Sequence, residues 1–239
     1  MEALKAENVS KNYGRNLALD NVSLQVQKGI CFALLGKNGA GKTTFVKSLL
    51  NLVHIKSGGF KIFNIDSNNI EARRKVSYLP EKFTFFPYYT LRGVCEFFGM
   101  MKGLKGNTLN KQVDHAMERL GVADIAKKRV KDCSKGQLQR TGIAATLMGD
   151  TELFILDEPF GGLDPIATKE FQDLIKDLKG QGKTIFINSH GLDAIEKICD
   201  EMTIIDKGKV LVEGNIKSII GDKSLLDYFY EKVGRDESY

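Results

Sequence analysis

Residues 30–44 read Ile-Cys-Phe-Ala-Leu-Leu-Gly-Lys-Asn-Gly-Ala-Gly-Lys-Thr-Thr, and this stretch decides the fold. It begins as a short apolar run and turns glycine-rich at Gly36, and residues 45–52 continue in a helix-like pattern. A buried strand, a glycine-rich turn and a helix in this order are typical of the first unit of an α/β protein.

Outward from this stretch, apolar runs alternate with segments of helical period, which predicts a mainly parallel central sheet. We expect its strands at residues 31–35, 76–79, 153–157, 184–188 and 202–205. Residues 3–27 alternate like antiparallel strands, whereas residues 82–131 show only helical patterns. The sequence therefore predicts one α/β domain over residues 1–239, with an N-terminal antiparallel β subdomain and an inserted helical subdomain at about residues 82–145.

Two helices are predicted with particular clarity. Asp164 and Pro165 supply an N-cap and a first-turn proline for the helix that follows them. The second shows apolar residues at helical spacing: Leu109, Val113, Ala116, Met117 and Leu120. Residues 215–239 are expected to form only a short, charged helical tail.

The composition excludes several classes of protein. With 42% hydrophobic and 27% charged residues, the chain is neither disordered nor fibrous. No apolar stretch approaches the roughly 18 residues of a membrane helix. The net charge of +5 is spread along the sequence, so we expect no nucleic-acid partner. Four cysteines without a CxxC pair predict reduced thiols and a cytoplasmic protein.

Residues 36–43 match the pattern GxxxxGK[ST], which predicts a P-loop NTPase core. Glycines let backbone N–H groups approach a polyphosphate, and the start of the following helix attracts anions. Lys42 would reach the β and γ phosphates, and the Thr43 hydroxyl would bind Mg²⁺. The expected nucleotide-binding residues of this loop are Gly36, Asn38, Gly39, Gly41, Lys42, Thr43 and Thr44. The plain alternative is a glycine-rich turn.

An apolar strand over residues 153–157 ends in two adjacent carboxylates, Asp157 and Glu158. A strand can end in acids merely because it reaches water. Beside a phosphate loop, however, Asp157 can hold Mg²⁺ and Glu158 can polarise the water that attacks the γ phosphorus of a nucleotide.

Residues 133–137, Cys-Ser-Lys-Gly-Gln, resemble the LSGGQ signature loop of ABC transporters. Gln137 lies 20 residues before Asp157, and the chain is similar to the nucleotide-binding subunit of this family over most of its length. The resemblance implies that Ser134, Gly136 and Gln137 close over ATP held by a second subunit, in a homodimer or heterodimer. Ser134 and Gln137 also match a helix capping box, and the two interpretations are compatible.

Further positions follow from the same resemblance. Tyr13 resembles the aromatic residue that stacks on adenine, although it also fits an ordinary strand tyrosine. Asp164, in the segment Gly161-Gly162-Leu163-Asp164, matches the family's loop that links the two ATP sites of the dimer. His190 lies 33 residues after Asp157, where the family has a catalytic switch histidine.

Three positions depart from the family pattern. Glu81 replaces the usual glutamine, and we expect it either to help bind Mg²⁺ or to be exposed. Lys135 occupies a usual glycine position, and Cys133 replaces leucine. We expect these changes to tune activity, since the other motif residues are present.

The resemblance also implies a partner. Because the sequence shows no membrane segment, we expect the permease to be a separate integral membrane subunit, with this chain at the inner face of the cell membrane. Five aromatic residues lie between Lys82 and Tyr89, beside the groove that receives a coupling helix of the permease in ABC transporters. We weigh core packing and partner contact equally for them.

The expected function is ATP-driven transport, most similar to export-type cassettes. Three alternatives remain. A GTP-dependent switch would need a guanine-reading Asn/Thr-Lys-x-Asp segment, which the sequence lacks. The second is a soluble ABC ATPase acting on nucleic acid or ribosomes. Members acting on DNA carry a long coiled-coil insertion and those acting in translation usually carry two cassettes, and this sequence shows neither. The third is a regulatory module that binds ATP without hydrolysing it.

Overall fold

The computed structural model describes residues 1–234, and its strands form one six-stranded and one four-stranded sheet. The strands are β1 Glu2–Tyr13, β2 Asn16–Gln27, β3 Cys31–Leu35, β4 Ser57–Ile62, β5 Ile65–Asp66, β6 Val76–Leu79, β7 Leu153–Asp157, β8 Thr184–Asn188, β9 Glu201–Asp206 and β10 Lys209–Asn215. The five predicted strands of the central sheet are confirmed as β3, β6, β7, β8 and β9.

The six-stranded sheet has the order β10-β9-β3-β8-β7-β6. Its neighbouring strands are parallel, except that β10 runs antiparallel to β9 at one edge. The second sheet is antiparallel, with the order β2-β1-β4-β5. The expected mainly parallel sheet and N-terminal antiparallel sheet are therefore confirmed.

The central sheet is covered on both faces, which explains why its strands are apolar throughout. Along β3, Cys31, Ala33 and Leu35 join a core formed with most of the helices. Phe32 and Leu34 point to the other face and join a core with the antiparallel sheet and the first helix. The alternation of side chains along one strand thus separates the two cores.

The helices lie between or beside these strands. They are α1 Lys42–Leu49, α2 Leu91–Met101, α3 Gly106–Arg119, α4 Lys135–Thr146, α5 Pro165–Gly180, α6 Leu192–Ile198, α7 Ile216–Ile220 and α8 Leu225–Val233, with short 3-10 helices at Ile70–Arg73 and Val130–Asp132. Between β6 and β7 the regular elements are helical, as the sequence predicts. None of the helices in the described part of the chain is both long and apolar enough to cross a bilayer.

The two clearest helix predictions are confirmed. Asp164 Oδ1 accepts a hydrogen bond from the backbone N–H of Ala167 at 2.8 Å, so it caps α5. The predicted apolar positions of α3 and its C-cap Leu120 are buried against α2 and α4.

The expectation of a merely charged tail is wrong for the described residues. Ile216, Ile220, Leu225 and Phe229 are buried in the core that covers one face of the central sheet. The two helices that carry them are short, and charged residues separate the apolar positions, so the sequence pattern does not reveal the buried face. Residues 235–239 of the predicted tail lie outside the described residues.

The aromatic segment after β6 divides between the two expected roles. Phe83 and Phe85 pack against the core, with ring centroids 5.0 Å apart. Phe86, Tyr88 and Tyr89 are exposed by 64%, 71% and 42%.

Candidate functional site

The phosphate loop, residues 36–44, connects β3 to α1 at the carboxyl end of the central strands. Helix α1 begins at Lys42, and no side chain caps its N-terminus. The first N–H groups of a helix have no partner within it, so they remain available to an anion. The Nζ of Lys42 donates to the carbonyl oxygens of Gly36 at 2.6 Å and Lys37 at 3.1 Å, which holds the ammonium inside the loop.

Two glycines of this loop are required by close packing. A Cβ at Gly41 would lie 2.6 Å from the carbonyl oxygen of Ala18, and its φ of 112° also disfavours a side chain. A Cβ at Gly36 would lie 2.3 Å from the carbonyl oxygen of Ile205. Gly36 therefore allows the loop to pack against β9, and it is not one of the residues that line the cavity described below.

Asp157 ends β7 and is buried. The Nδ2 of Asn188, at the end of the neighbouring strand β8, donates to Asp157 Oδ1 at 2.5 Å. Asp157 Oδ2 is buried without a hydrogen-bond partner. Burial, followed by the negative charge of Glu158, raises the pKa of Asp157 to about 6. A cation at Oδ2 would favour the ionised carboxylate.

Glu158 adopts a left-handed conformation, with φ of 50°. Its backbone N–H donates to the carbonyl oxygen of Asn188 at 2.7 Å. Its Oε2 accepts from Ser189 Oγ at 3.2 Å and from the backbone N–H of His190 at 3.4 Å. The Nδ1 of His190 lies 2.8 Å from Glu158 Oε1, while the imidazole remains 72% exposed. Three contacts therefore orient the carboxylate.

One cavity of about 690 Å³ joins these groups, and we call it the nucleotide cavity. It is lined by these predicted site residues: Tyr13, Asn38, Gly39, Gly41, Lys42, Thr43, Thr44, Glu81, Asp157, Glu158 and His190. Burial lowers the pKa of Lys42, and the carboxylates of Glu158, Asp157 and Glu81 oppose that effect. The cavity thus combines a buried lysine, the backbone of the phosphate loop and three carboxylates.

Tyr13 lines the nucleotide cavity and is 47% exposed. The Nζ of Lys11 lies 4.6 Å from the ring centroid, a cation–π contact. An exposed, anchored aromatic ring of this kind is able to stack on a base.

The signature loop lies apart from this cavity. Ser134 Oγ accepts from the backbone N–H of Gln137 at 3.3 Å, and Gln137 Oε1 accepts from the backbone N–H of Ser134 at 3.1 Å, which confirms the capping box of α4. Among the described residues, the nucleotide cavity is lined by none of Ser134, Gly136 and Gln137. A Cβ at Gly136 would lie 3.0 Å from the carbonyl oxygen of Gly162, so the loop rests on the segment before α5.

The donor set fits a hard divalent cation that is bound mainly by substrate. The described residues contain no group of three His, Cys, Asp or Glu side chains placed to hold a metal by themselves. Mg²⁺ is usually bound through one or two protein oxygens together with phosphates and water. The unpartnered Asp157 Oδ2 and the Thr43 hydroxyl provide such oxygens on the wall of one cavity.

Sequence reasoning missed two residues of the site, Asn188 and Ser189. Both follow the apolar run of β8, where an amide and a hydroxyl carry little signal by themselves. Their role depends on the pairing of β7 with β8, which places Asp157 directly opposite Asn188.

The chain is similar to proteins of one family over most of its length. The family model described as ABC transporter matches residues 19–161. The chain is 34% identical over 230 residues to the lantibiotic transport ATP-binding protein SrtF of Streptococcus pyogenes, covering 96% of this chain and 97% of that protein. It is 34% identical over 219 residues to the Nod factor export ATP-binding protein I of Cupriavidus metallidurans, covering 91% of this chain and 72% of that protein. Some other relatives are longer, and the chain spans as little as 60% of their length.

A solved structure of an ATP-binding subunit of an ABC transporter superposes with a TM-score of 0.88 and 26% identity, covering 98% of this chain and all of that one. The matched segment contains the phosphate loop, the signature loop and the two adjacent acids. The chain therefore belongs to the ABC transporter family, as one of its ATP-binding and ATP-hydrolysing subunits.

Proposed function

We propose that this chain hydrolyses ATP to drive a separate membrane permease, in the direction of export, through the closure of two cassettes on two nucleotides. One observation carries the proposal: Lys42, Asp157 and Glu158 line one cavity, whereas the signature loop at Ser134 lies outside it. A site divided in this way is completed by a second cassette.

The phosphate loop binds the polyphosphate. The first N–H groups of α1 point along the helix axis toward the loop, and Lys42 adds a positive charge at the same end. Tyr13 offers its exposed ring to the adenine. The carbonyl oxygens that now accept from Lys42 are exchanged for phosphate oxygens when ATP binds.

Mg²⁺ would be held by the Thr43 hydroxyl and Asp157 Oδ2, and Glu81 remains a prediction as a third group. When bound, the metal neutralises phosphate charge and raises the reactivity of the γ phosphorus. Asn188 keeps Asp157 oriented through the hydrogen bond to Oδ1, which leaves Oδ2 without a protein partner.

Glu158 is the general base that polarises the attacking water. Its carboxylate is fixed by contacts with Ser189 and His190, and its backbone N–H is hydrogen-bonded to the carbonyl oxygen of Asn188. The exposed imidazole of His190 is free to reach the γ phosphate from the same side. A fixed base in a pre-formed geometry contributes to catalysis by positioning.

Closure would bring the N-terminus of α4 from one cassette onto the ATP of the other. The capping box leaves the helix start well formed, with Gly136 adjacent to it. ATP can drive this change only because it binds the closed pair more tightly than the open one. Hydrolysis removes that difference and releases the pair.

Export is the favoured direction because relatives of this chain are named for Nod factor export and lantibiotic transport. The permease would contact the side of the cassette where aromatic residues are exposed after β6. This partner would place the chain at the inner face of the cell membrane.

Glu158→Gln tests the assignment of the base. We expect ATP binding to be retained, turnover to fall by about 100-fold or more, and an ATP-loaded dimer to accumulate. Turnover by phosphate release and oligomeric state by size-exclusion chromatography are the measurements. Glu118→Gln, an exposed glutamate on α3, is the matched control. Wild-type turnover in the Glu158 variant would overturn the assignment.

Detergent extraction of the tagged chain tests the partner. Recovery of one integral membrane subunit in stoichiometric amount supports the proposal. Recovery of ribosomes or DNA instead would contradict it, and would favour the soluble ATPase alternative.

A further inference from the structure

Two of the four cysteines touch each other in the core, and neither of them lines the nucleotide cavity. The Sγ atoms of Cys31 and Cys199 lie 3.1 Å apart, and we call these residues the thiol pair. Cys31 begins β3 and is fully buried, whereas Cys199 follows the last residue of α6 and is 9% exposed. The sequence separates them by 168 positions, so only the folded chain brings them together.

Hydrogen bonds hold the backbone around the thiol pair in register. The backbone N–H of Asp200, next to Cys199, donates to the carbonyl oxygen of Cys31 at 2.7 Å. The backbone N–H of Cys31 in turn donates to Asp200 Oδ2 at 2.9 Å. Lys179 Nζ donates to Oδ1 of the same carboxylate at 2.8 Å. These contacts fix the start of β3 against the end of α6, so the fold itself keeps the two sulfurs adjacent.

The spacing of the two sulfurs is closer to that of a disulfide than to that of a metal site. A tetrahedral Zn²⁺ with Zn–S bonds of about 2.3 Å holds two thiolate sulfurs about 3.8 Å apart. In a disulfide the sulfurs are about 2 Å apart, so a movement of about 1 Å closes the gap from 3.1 Å. The thiol pair is therefore arranged for oxidation without rearrangement of the fold.

Exposure decides which sulfur reacts first. Cys199 has a small exposed fraction and Cys31 has none, so an oxidant in solution reaches Cys199. The Cys199 thiolate attacks hydrogen peroxide, the O–O bond breaks, and a sulfenic acid and one water are formed. The Cys31 sulfur then attacks the Cys199 sulfur, the S–O bond breaks, and a second water leaves. Two thiols and one peroxide thus become one disulfide and two waters, with the peroxide taking up two electrons and two protons.

The surroundings of Cys199 make this reaction slow. Burial, followed by the neighbouring Cys31 thiol and the charge of Asp200, raises the pKa of the Cys199 thiol. Little thiolate is then present at neutral pH, and the thiolate is the form that attacks a peroxide. The thiol pair therefore stays reduced under reducing conditions and reacts only on prolonged exposure to oxidant.

We propose that the thiol pair is a site of reversible oxidation, where a hydroperoxide converts Cys31 and Cys199 to a disulfide that ties the end of α6 to the start of β3. Strand β3 leads into the phosphate loop and α6 follows His190, so the bond joins elements that adjoin two walls of the nucleotide cavity. Disulfides in reducing compartments are usually transient, and some of them sense the redox state. A thiol reductant returns the pair to its reduced form by exchange.

The test treats the folded full chain with hydrogen peroxide and then caps the remaining thiols with an alkylating reagent. Intact-mass spectrometry and peptide mapping are the measurements. We expect the chain to lose the mass of two hydrogen atoms and to yield a cross-linked peptide pair that contains Cys31 and Cys199. Dithiothreitol should restore both thiols. This pairing should be the only one that forms in the folded chain.

Variants connect the product to the thiol pair. Cys31→Ala should leave Cys199 as a sulfenic or sulfinic acid, without a cross-link. Cys199→Ala should leave Cys31 as a thiol, because the more exposed sulfur of the pair is gone. Cys95→Ala, which removes a buried cysteine on α2, is the matched control and should keep the cross-link. Thermal unfolding of each reduced variant shows that the fold is retained.

The cross-link should also raise the midpoint of thermal unfolding of the wild-type chain by at least about 5 °C, because it restricts the unfolded chain. Peroxide-treated Cys31→Ala should show no rise. A cross-linked chain with an unchanged midpoint would contradict the tie between α6 and β3. Oxygen additions without a cross-link would overturn the proposal, since they would show that the two cysteines only pack as small apolar residues. ATP turnover does not enter these readouts, so the outcome is independent of the proposed function.

Discussion

The carboxylates of Asp157 and Glu158 are adjacent in sequence but are held in different ways. Asp157 ends a strand and is buried, with an amide on one oxygen and nothing on the other. Glu158 follows in a left-handed conformation that turns its side chain toward Ser189 and His190. The change of backbone conformation between the two residues points the side chains differently, as the proposed roles require: Asp157 would bind a cation and Glu158 would orient water.

Asn188→Ala should weaken both the fold and the site. The change removes the donor to Asp157 Oδ1 and leaves a buried carboxylate without its partner, so we expect the free energy of unfolding to fall by about 1–3 kcal/mol. ATP turnover should fall as well. Urea unfolding and phosphate release check the prediction, with the exposed Asn68→Ala as control. Equal free energies of unfolding for the two variants would show that the hydrogen bond from Asn188 to Asp157 does not stabilise the fold.

At the scale of elements, the strands that the sequence predicts best are those buried on both faces. Strands β3, β7 and β8 consist entirely of buried residues, so their apolar runs stand out. Strands β4 and β10 are different: the first contains two glycines, and the second is half-exposed along its length. Such strands depend on their neighbours, and the pattern of the segment itself does not reveal them.

The same reasoning applies to the site. The phosphate loop and the acids could be predicted because each is a contiguous motif with its own chemistry. Ser189 and Asn188 could not, since their importance arises from β7 and β8 lying side by side. The shared cavity of Glu81 with Lys42 likewise depends on the order of strands.

The N-cap of α4 has a structural role and a proposed functional one. Substituting this serine and a second N-cap serine distinguishes the two roles. Ser134 caps α4, and Ser224 caps α8 in the same way. We expect Ser134→Ala and Ser224→Ala each to cost about 1 kcal/mol in free energy of unfolding. Only Ser134→Ala should also reduce ATP turnover, by at least about tenfold, because only that serine is proposed to contact the ATP of an opposite cassette. Parallel losses of turnover would show that the effect is one of stability alone.

At the scale of the whole molecule, the last described helices close the core of the central sheet. Leu225 is fully buried, and its backbone N–H donates to Glu196 on α6 at 2.8 Å. Helix α6 begins at Leu192, two residues after His190, so α8 supports the element that follows this wall of the nucleotide cavity. This arrangement explains why residues that look like a charged tail in the sequence are part of the fold.

Adjacent leucines test this support. Leu225→Ala should lower the free energy of unfolding by about 2–5 kcal/mol, because it leaves a cavity in the core. Leu226 is 38% exposed, and Leu226→Ala should change stability by less than about 1 kcal/mol. Urea unfolding of both variants measures the difference. Similar values for the two would mean that α8 does not pack as the structure shows.

The loop after β6 has a consequence for the energetics of the assembly. Leu79 and Pro80 line a second cavity, of about 790 Å³, between β6 and helices α2 and α4, and Glu81, the next residue, lines the nucleotide cavity. A change in the position of this short backbone stretch would alter the walls of both cavities. Thermodynamic linkage is reciprocal, so any factor by which nucleotide strengthens the binding of a partner at this loop is also the factor by which that partner strengthens the binding of nucleotide. If the proposed permease binds at this loop, the cassette should therefore show a different ATP affinity alone and in the complex.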